Sequence, residues 1–178
     1  YSGVSSYSSI KTNKLSSILK SNGIKLLIHQ PSYSLINRWI EKDLTRTLIK
    51  KGVGCIAFSP LAQGFLSNKY LKGIPKVSRV NENSSFSKDL ITKKNTKIIN
   101  ELNKIAKRRN QSLSQMAIAW VLNNRAITSA LIGARTVKQL KENLAALDNL
   151  EFSKKEIKEI NKTAKEGDIN IWAPSSAH

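Results

Sequence analysis

The chain has 178 residues, a net charge of +18 and a pI near 10.2, and 40 % of its residues are hydrophobic. That length holds one sizeable core and is too short for two comfortable domains. Its single cysteine excludes an internal disulfide and points to a reducing, cytoplasmic compartment, and no apolar run approaches the ~18 residues of a membrane span.

The charge raises nucleic acid as a partner, but its distribution argues against one. Lysines lie along almost the whole chain, and the longest basic runs, Lys93-Lys94 and Lys107 to Arg109, are short. Composition, not a basic surface, is the simpler source. The chain opens on Tyr1, and its only methionine is Met116, so it reads as a fragment of a longer protein.

In chain order, residues 1–9 form the end of a strand running into a polar loop. An amphipathic helix follows, with Leu15, Ile18 and Leu19 on its inner face, and it ends at Asn22-Gly23. Lys25 to His29 is a strand closed by Gln30-Pro31, and an aromatic and polar loop, Ser32 to Trp39, comes next. A helix from about Lys42 stops at Gly52. Residues 53–58 make the next strand, in which Cys55 is a small buried hydrophobe. A glycine-bearing loop then leads into a polar segment, 72–90. It is too long for an ordinary strand-to-helix loop, which makes it either disordered or a cofactor lid.

Thr92 to Arg109 reads as a charged helix with Ile98, Leu102 and Ile105 facing inward. Ser112 caps the next helix, whose near-continuous apolar character argues for burial. Thr128 to Ile132 is strand-like, Gly133 breaks the pattern, and Val137, Leu140, Leu144 and Leu147 recur at helical spacing with Thr136 as cap. Ser153 and Glu156 form a capping box for a last helix, and the tail from Ile169 has no periodicity. Four apolar strands alternating with helices require parallel pairing and right-handed crossovers, with both faces of the strands covered. Such sheets place ligands at the C-terminal ends of their strands.

The Gly133 turn has a chemical reading of its own. A helix start offers free N–H groups and partial positive charge to a phosphate, and Arg135 adds a planar cation there. Gln139, Glu142 and Asn143 fall one and two turns on, within reach of a ribose or a base. An ordinary strand-to-helix turn with a solvated polar face gives the same pattern.

The segments GVSSYS, HQPSYSLINRW, GVGCIAFSPLAQGFLSNKY, SLSQMAIAWVL and LIGARTVKQLKENL occur in this order. Together they resemble the aldo-keto reductases, most of all the branch with the bacterial glyceraldehyde-3-phosphate reductases and the potassium-channel β-subunits. The resemblance spans essentially the whole chain. It implies the C-terminal half of a (β/α)8 TIM barrel, entered inside its fifth strand, that binds NADPH without a Rossmann fold and reduces a small aldehyde or ketone.

By that resemblance Ser5, Ser6 and Gln30 hold the nicotinamide amide, although many relatives carry Asn where Ser6 stands. Phe58 stacks on the nicotinamide ring. Ser59, Pro60 and Leu61 form the turn under the pyrophosphate, and Lys69 and Arg79 lie on the loop over the cofactor. Gly133, Gln139, Glu142 and Asn143 surround the adenosine phosphate and adenine, with Arg135 in place of a common serine. Trp39, Arg38 and the Trp172 tail are candidate contributors to substrate choice, and His29 is structural. The family's catalytic Asp, Tyr, Lys and His belong to the first half of the barrel, so the resemblance implies no catalytic and no metal-binding residue here. A non-catalytic nucleotide-binding or β-subunit-like partner module, or the product of a decayed gene, remains the alternative.

Overall fold

The computed structural model describes residues 1–71 and 92–164; Arg79, the polar segment 72–90 and the Trp172 tail lie outside them. Four strands, β1 (Ser2–Ser5), β2 (Leu26–Gln30), β3 (Gly54–Phe58) and β4 (Ser129–Leu131), form one parallel sheet in the order β1-β2-β3-β4. The helices among the described residues are α1 (Ser9–Ser21), α2 (Leu44–Lys51), α3 (Lys93–Arg108), α4 (Leu113–Asn123), α5 (Val137–Leu144) and α6 (Lys154–Thr163). Each strand reaches its parallel neighbour through at least one helix, as the crossover rule requires. This is the α/β order read from the sequence, and it is consistent with part of a (β/α)8 barrel.

The helix starts follow from local chemistry. Ser112, Thr136 and Ser153 each accept a backbone N–H of their first turn, from Gln115, Gln139 and Glu156 respectively. Gln115 and Glu156 reach back to close capping boxes, which satisfies a second orphan donor each. Gly52 ends α2 in the left-handed region at φ 64°, the conformation that glycine adopts without a Cβ penalty.

The core lies between the sheet and its helices. Cys55 and Ala57 of β3 are fully buried, as are Leu102 of α3 and Leu113, Met116, Ala117 and Val121 of α4, with Ile105 all but so. Burial pushes the Cys55 thiol up to about 12, so the group is an inert filler. Between α3 and α6, the Arg109 side chain is 3 % exposed and ties together three segments. It donates to Gln111 Oε1 at 2.9 Å, Glu156 Oε1 at 2.8 Å, and the Glu151 carbonyl at 2.9 Å, and its guanidinium stacks 3.7 Å from the Phe152 ring centre.

Four expectations are corrected. Among the described residues the sheet is covered well on one face only: Cys55 and Ala57 are buried, while Gly3, Ser5, Ser129 and Leu131, on the other face, are exposed. In α1 Leu19 packs against the core as expected and Leu15 is half-buried, but Ile18 is half exposed and the most buried side chains are Ser9 and Thr12, with Ser9 bonding across to Thr47 of α2 at 2.7 Å. The segment after β2 is no surface loop. Ser32 to Asn37 is buried, and Tyr33, Leu35 and Ile36 belong to the core. Finally, α5 packs near α4 through buried Asn143, and Gln115 Nε2 donates to the Glu142 carbonyl at 3.1 Å. Its apolar stripe, Val137, Leu140 and Leu144, is left open, as is Leu147 just beyond.

Candidate functional site

Ser5, Gln30 and Phe58 are the last residues of β1, β2 and β3. Ser5 is paired with Gln30, and Ile28 with Gly54, so the two-residue period puts Ser5, Gln30, Ile56 and Phe58 on one face. Phe58 is paired in turn with Leu131 at the end of β4, two residues before Gly133. The candidate residues thus run as a row along the C-terminal edge, on the face the helices leave open. Gln30 and Phe58 are partly buried and Ser5 is exposed.

The row is held by the backbone. Ser5 Oγ donates to the Gln30 carbonyl at 2.8 Å, and the Ser6 N–H donates to the same oxygen at 3.1 Å. Beyond β2 the chain doubles back onto β3: the Tyr33 N–H donates to the Phe58 carbonyl at 3.1 Å, and the Phe58 N–H to the Pro31 carbonyl at 2.9 Å. Trp39 Nε1 donates to the Ser32 carbonyl at 2.9 Å, which secures that return.

Left-handed backbone concentrates at the same edge. Among the described residues, non-glycine residues with positive φ are Ser6 (55°), Ser59 (55°), Ala62 (46°), Gln63 (58°) and Asn110 (55°). Ser6 and Ser59 follow β1 and β3 directly, and Ala62 and Gln63 lie in the turn that continues from Ser59. Each costs on the order of 1 kcal/mol, a cost that proteins tolerate mostly where a ligand or a tight turn demands it. Ser59 and Leu61 also accept the turn's own amides, from Ala62 at 2.9 Å and Gly64 at 2.9 Å, while Pro60 is buried beneath. Ala62 and Gln63 were not singled out from the sequence, and neither residue type announces a left-handed backbone.

The turn after β4 is built differently from a glycine turn. Gly133 has no positive φ, and a Cβ added there would meet no protein atom within 4 Å. Neither backbone conformation nor packing accounts for the glycine. Arg135 is exposed, and its N–H donates to Gln139 Oε1 at 2.9 Å, while the Gln139 N–H donates to Thr136 Oγ1 at 3.2 Å. Gln139 is therefore turned back on the helix start. Glu142 is exposed and Asn143 is buried at 7 % exposure, so of these three residues Glu142 faces outward most freely. Lys69, in the short helical turn Asn68–Tyr70 after β3, is exposed.

Arg38 is committed elsewhere. It forms a two-pronged pair with Glu41 at 2.9 and 2.8 Å, donates to Asn161 Oδ1 at 2.9 Å and the Ala164 carbonyl at 3.0 Å, and lies 4.9 Å from the Trp120 ring centre. These bonds clamp the end of α6 to the segment after β2. His29 is fully buried; its Nε2 bonds the Tyr7 carbonyl at 3.0 Å, and burial lowers its pKa against the opposing pull of that bond. The neutral imidazole therefore donates from Nε2, and it pins the turn that carries Ser6. Among the described residues no group of three His, Cys, Asp or Glu is placed to hold a metal ion, and no helix is long and apolar enough to cross a membrane.

The profile of the aldo/keto reductase family matches residues 1–165. The chain is similar to the L-glyceraldehyde 3-phosphate reductase of Escherichia coli strain K12, at 47 % identity over 181 aligned positions that cover 99 % of this chain and 52 % of that protein. The protein of the same name from Escherichia coli O157:H7 is 46 % identical over the same shares. The chain spans about half the length of these curated relatives.

Proposed function

The chain belongs to the aldo/keto reductase family, and from that premise we propose that it is the cofactor-binding half of an NADPH-dependent reductase. The parent protein reduces a small aldehyde or ketone, with a glyceraldehyde-3-phosphate-like compound as the leading substrate class, in the cytoplasm. The similarity to reductases of that name supports the substrate class. When bound, the nicotinamide would supply the hydride; the chain's own residues orient it.

The observation that carries this reading is the row of Ser5, Gln30 and Phe58, continued by Gly133 and Arg135. Ser5, Ser6 and Gln30 supply polar groups to an amide at one end, and the half-buried Phe58 supplies an aromatic face. The turn of Ser59, Pro60 and Leu61 comes next. Gly133 leaves backbone open where a phosphate must come close. Lys69 follows β3 and Arg135 follows the neighbouring β4, and both are exposed; in this reading they are the two cations at that end, with Glu142 beyond them. Arg79 joins the site in this proposal from outside the described residues. Asn143 would need to leave its buried position to reach a base, so its part in the site is the weakest.

Cofactor titration tests the reading. NADPH binding, followed by tryptophan fluorescence, is expected to exceed NADH binding. Replacing Lys69 and Arg135 together by alanine is expected to erase that preference, because charge-assisted bonds to the extra phosphate are lost while the rest of the site is untouched. Equal loss for both cofactors would show that the two side chains do not read the phosphate. The chain alone is proposed to lack reductase activity, and turnover of glyceraldehyde 3-phosphate by the purified 178-residue chain would overturn that part.

A further inference from the structure

We propose that His29 is a positioning residue for the cofactor: as a neutral ring it holds the turn of Ser5, Ser6 and Tyr7 in the shape that receives the nicotinamide amide, and on protonation it lets that turn go. The proposal rests on the cofactor reading above and adds to it a support, controlled by one proton, on the covered side of the sheet.

The turn after β1 is held by the last two residues of β2. The Gln30 carbonyl accepts the Ser5 hydroxyl at 2.8 Å and the Ser6 N–H at 3.1 Å, and His29 Nε2 bonds the Tyr7 carbonyl at 3.0 Å. Ser6 stands at φ 55°, a conformation that serine does not keep by preference, so bonds from outside the turn must fix it. Tyr7 leads directly to Ser8, the cap of α1. The carbonyl that His29 holds therefore lies between the nicotinamide end of the site and a helix start. Successive side chains of a strand point to opposite faces, so Gln30 lies on the open face and His29 on the covered one. In the cofactor reading one residue meets the ligand while its neighbour secures the backbone beside it.

The surroundings of the ring make this support sensitive to a single proton. His29 is fully buried. A carbonyl only accepts, so Nε2 carries the proton of the neutral ring, and the buried Nδ1 has no hydrogen-bond partner among the described residues. A proton added at Nδ1 would create a buried cation with an unmatched donor. No carboxylate is at hand to offset it. Residues 1–40 contain neither Asp nor Glu, and residues 41–71 contain only Glu41 and Asp43. Glu41 is bound to Arg38 and Tyr33, and Asp43 is exposed. Across the sheet His29 is paired with Val4 on β1 and with Cys55 on β3, whose thiol burial keeps protonated. The titratable groups of the covering helices are all basic: Lys11, Lys14 and Lys20 on α1, and Arg46, Lys50 and Lys51 on α2. Each of these repels an imidazolium. Burial lowers the pKa of His29 from 6.5, so the support is complete above 6.5 and is lost as pH falls below it.

Titration of the intact protein that carries this chain tests the proposal, with NADP+ as the probe and tryptophan fluorescence as the readout. It is run at about pH 7.5 and about pH 5.5, either side of the ordinary imidazole value of 6.5. The parent is expected to lose affinity at the lower pH, and His29→Leu, which has no donor, to bind weakly at both. His29→Gln, whose amide can donate to the same carbonyl without titrating, is expected to recover binding. Its loss at the lower pH should be about threefold smaller than the parent's, within the tenfold per pH unit that one proton exerts. The phosphates of the probe titrate alike in every variant, so they drop out of the comparison. Identical pH profiles for the parent and His29→Gln, or a glutamine variant no better than leucine, would overturn the role of His29 and leave the cofactor reading intact. No binding by the parent at either pH would overturn that reading, and this role with it. Amide exchange of the parent without cofactor is a second measurement that needs no variant. Protection of the Ser6 amide, corrected for its intrinsic rate, should fall at the lower pH while the amides of α4 keep theirs. Unchanged protection of Ser6 would overturn the proposal, as would α4 losing protection in step with it.

Discussion

Replacing Arg109 by methionine is the sharpest test of how the helical layer is held. The guanidinium is 3 % exposed and donates to Gln111, Glu156 and the carbonyls of Asn149 and Glu151, the Asn149 bonds being longer, at 3.2 and 3.3 Å. Methionine keeps the aliphatic stem and removes all five donors. Breaking one side of a buried, hydrogen-bonded ion pair costs roughly 3–5 kcal/mol. Glu156 is 27 % exposed and keeps its bonds to Ser153, which lets water take over part of the loss. Stacking on Phe152 adds about 0.5–1 kcal/mol to what is lost. The expected cost is therefore about 3 kcal/mol, at the low end of the range. Arg109→Lys keeps the charge but cannot span acceptors in three directions, and about 2 kcal/mol is expected. Urea unfolding at one fixed protein concentration, read by circular dichroism, measures both. A methionine variant that loses less than ~1 kcal/mol, or a lysine variant equal to the parent, would refute the claim that Arg109 joins these segments.

The same network predicts a pH dependence. Burial works on Glu156 upward, but the Ser153 hydroxyl and amide and then Arg109 together outweigh it and hold the carboxyl at about 2 against an ordinary 4.5. Between those values the unfolded chain binds the extra proton, so the stabilisation is complete above 4.5 and disappears as pH falls toward 2. The stability difference between the parent and Glu156→Gln should shrink over that window; a difference constant down to pH 2 would contradict it. At Ser59, whose φ is 55°, glycine should leave stability unchanged or raise it, and valine should cost about 1–2 kcal/mol; equal effects would deny the left-handed backbone. Cys55, fully buried, should resist a thiol reagent in the folded chain and react fully in urea.

Helix caps and the order of elements along the chain were legible in the sequence because they depend on neighbours a few residues away. Ser112 with Gln115, Thr136 with Gln139, and Ser153 with Glu156 are local hydrogen-bond chemistry, and the structure forms each of them. What failed depended on distant partners. In α1 periodicity placed Leu19 correctly but Ile18 inside when it is half exposed, and the buried Ser9 bonds to Thr47, 38 positions away. The burial of Ser32 to Asn37 has a similar origin. Its polar groups are bonded by the chain's return over β3, by Trp39 Nε1 on the Ser32 carbonyl and by Asn37 Nδ2 on Ser32 Oγ at 3.1 Å, and no composition rule anticipates that.

The candidate site divides along the same line, and the division bears on its chemistry. The family resemblance, and not strand periodicity, is how Ser5, Gln30 and Phe58 could be named before any coordinates, and they end β1, β2 and β3. The backbone between them could not be read in that way. Four left-handed residues, Ser6, Ser59, Ala62 and Gln63, follow β1 and β3, and none is the glycine that would adopt that conformation freely. Gly133, by contrast, occupies a turn that requires no glycine and has space around it. Local preference and local structure thus disagree in opposite directions at neighbouring strand ends. Folding alone gives no reason for either mismatch, since glycine at Ser59 and alanine at Gly133 would each suit the chain better. A ligand lying along the edge gives a reason for both. It would need side chains, and hence strained backbone, where it is gripped by hydroxyl and amide groups, and it would need bare backbone where a phosphate comes close.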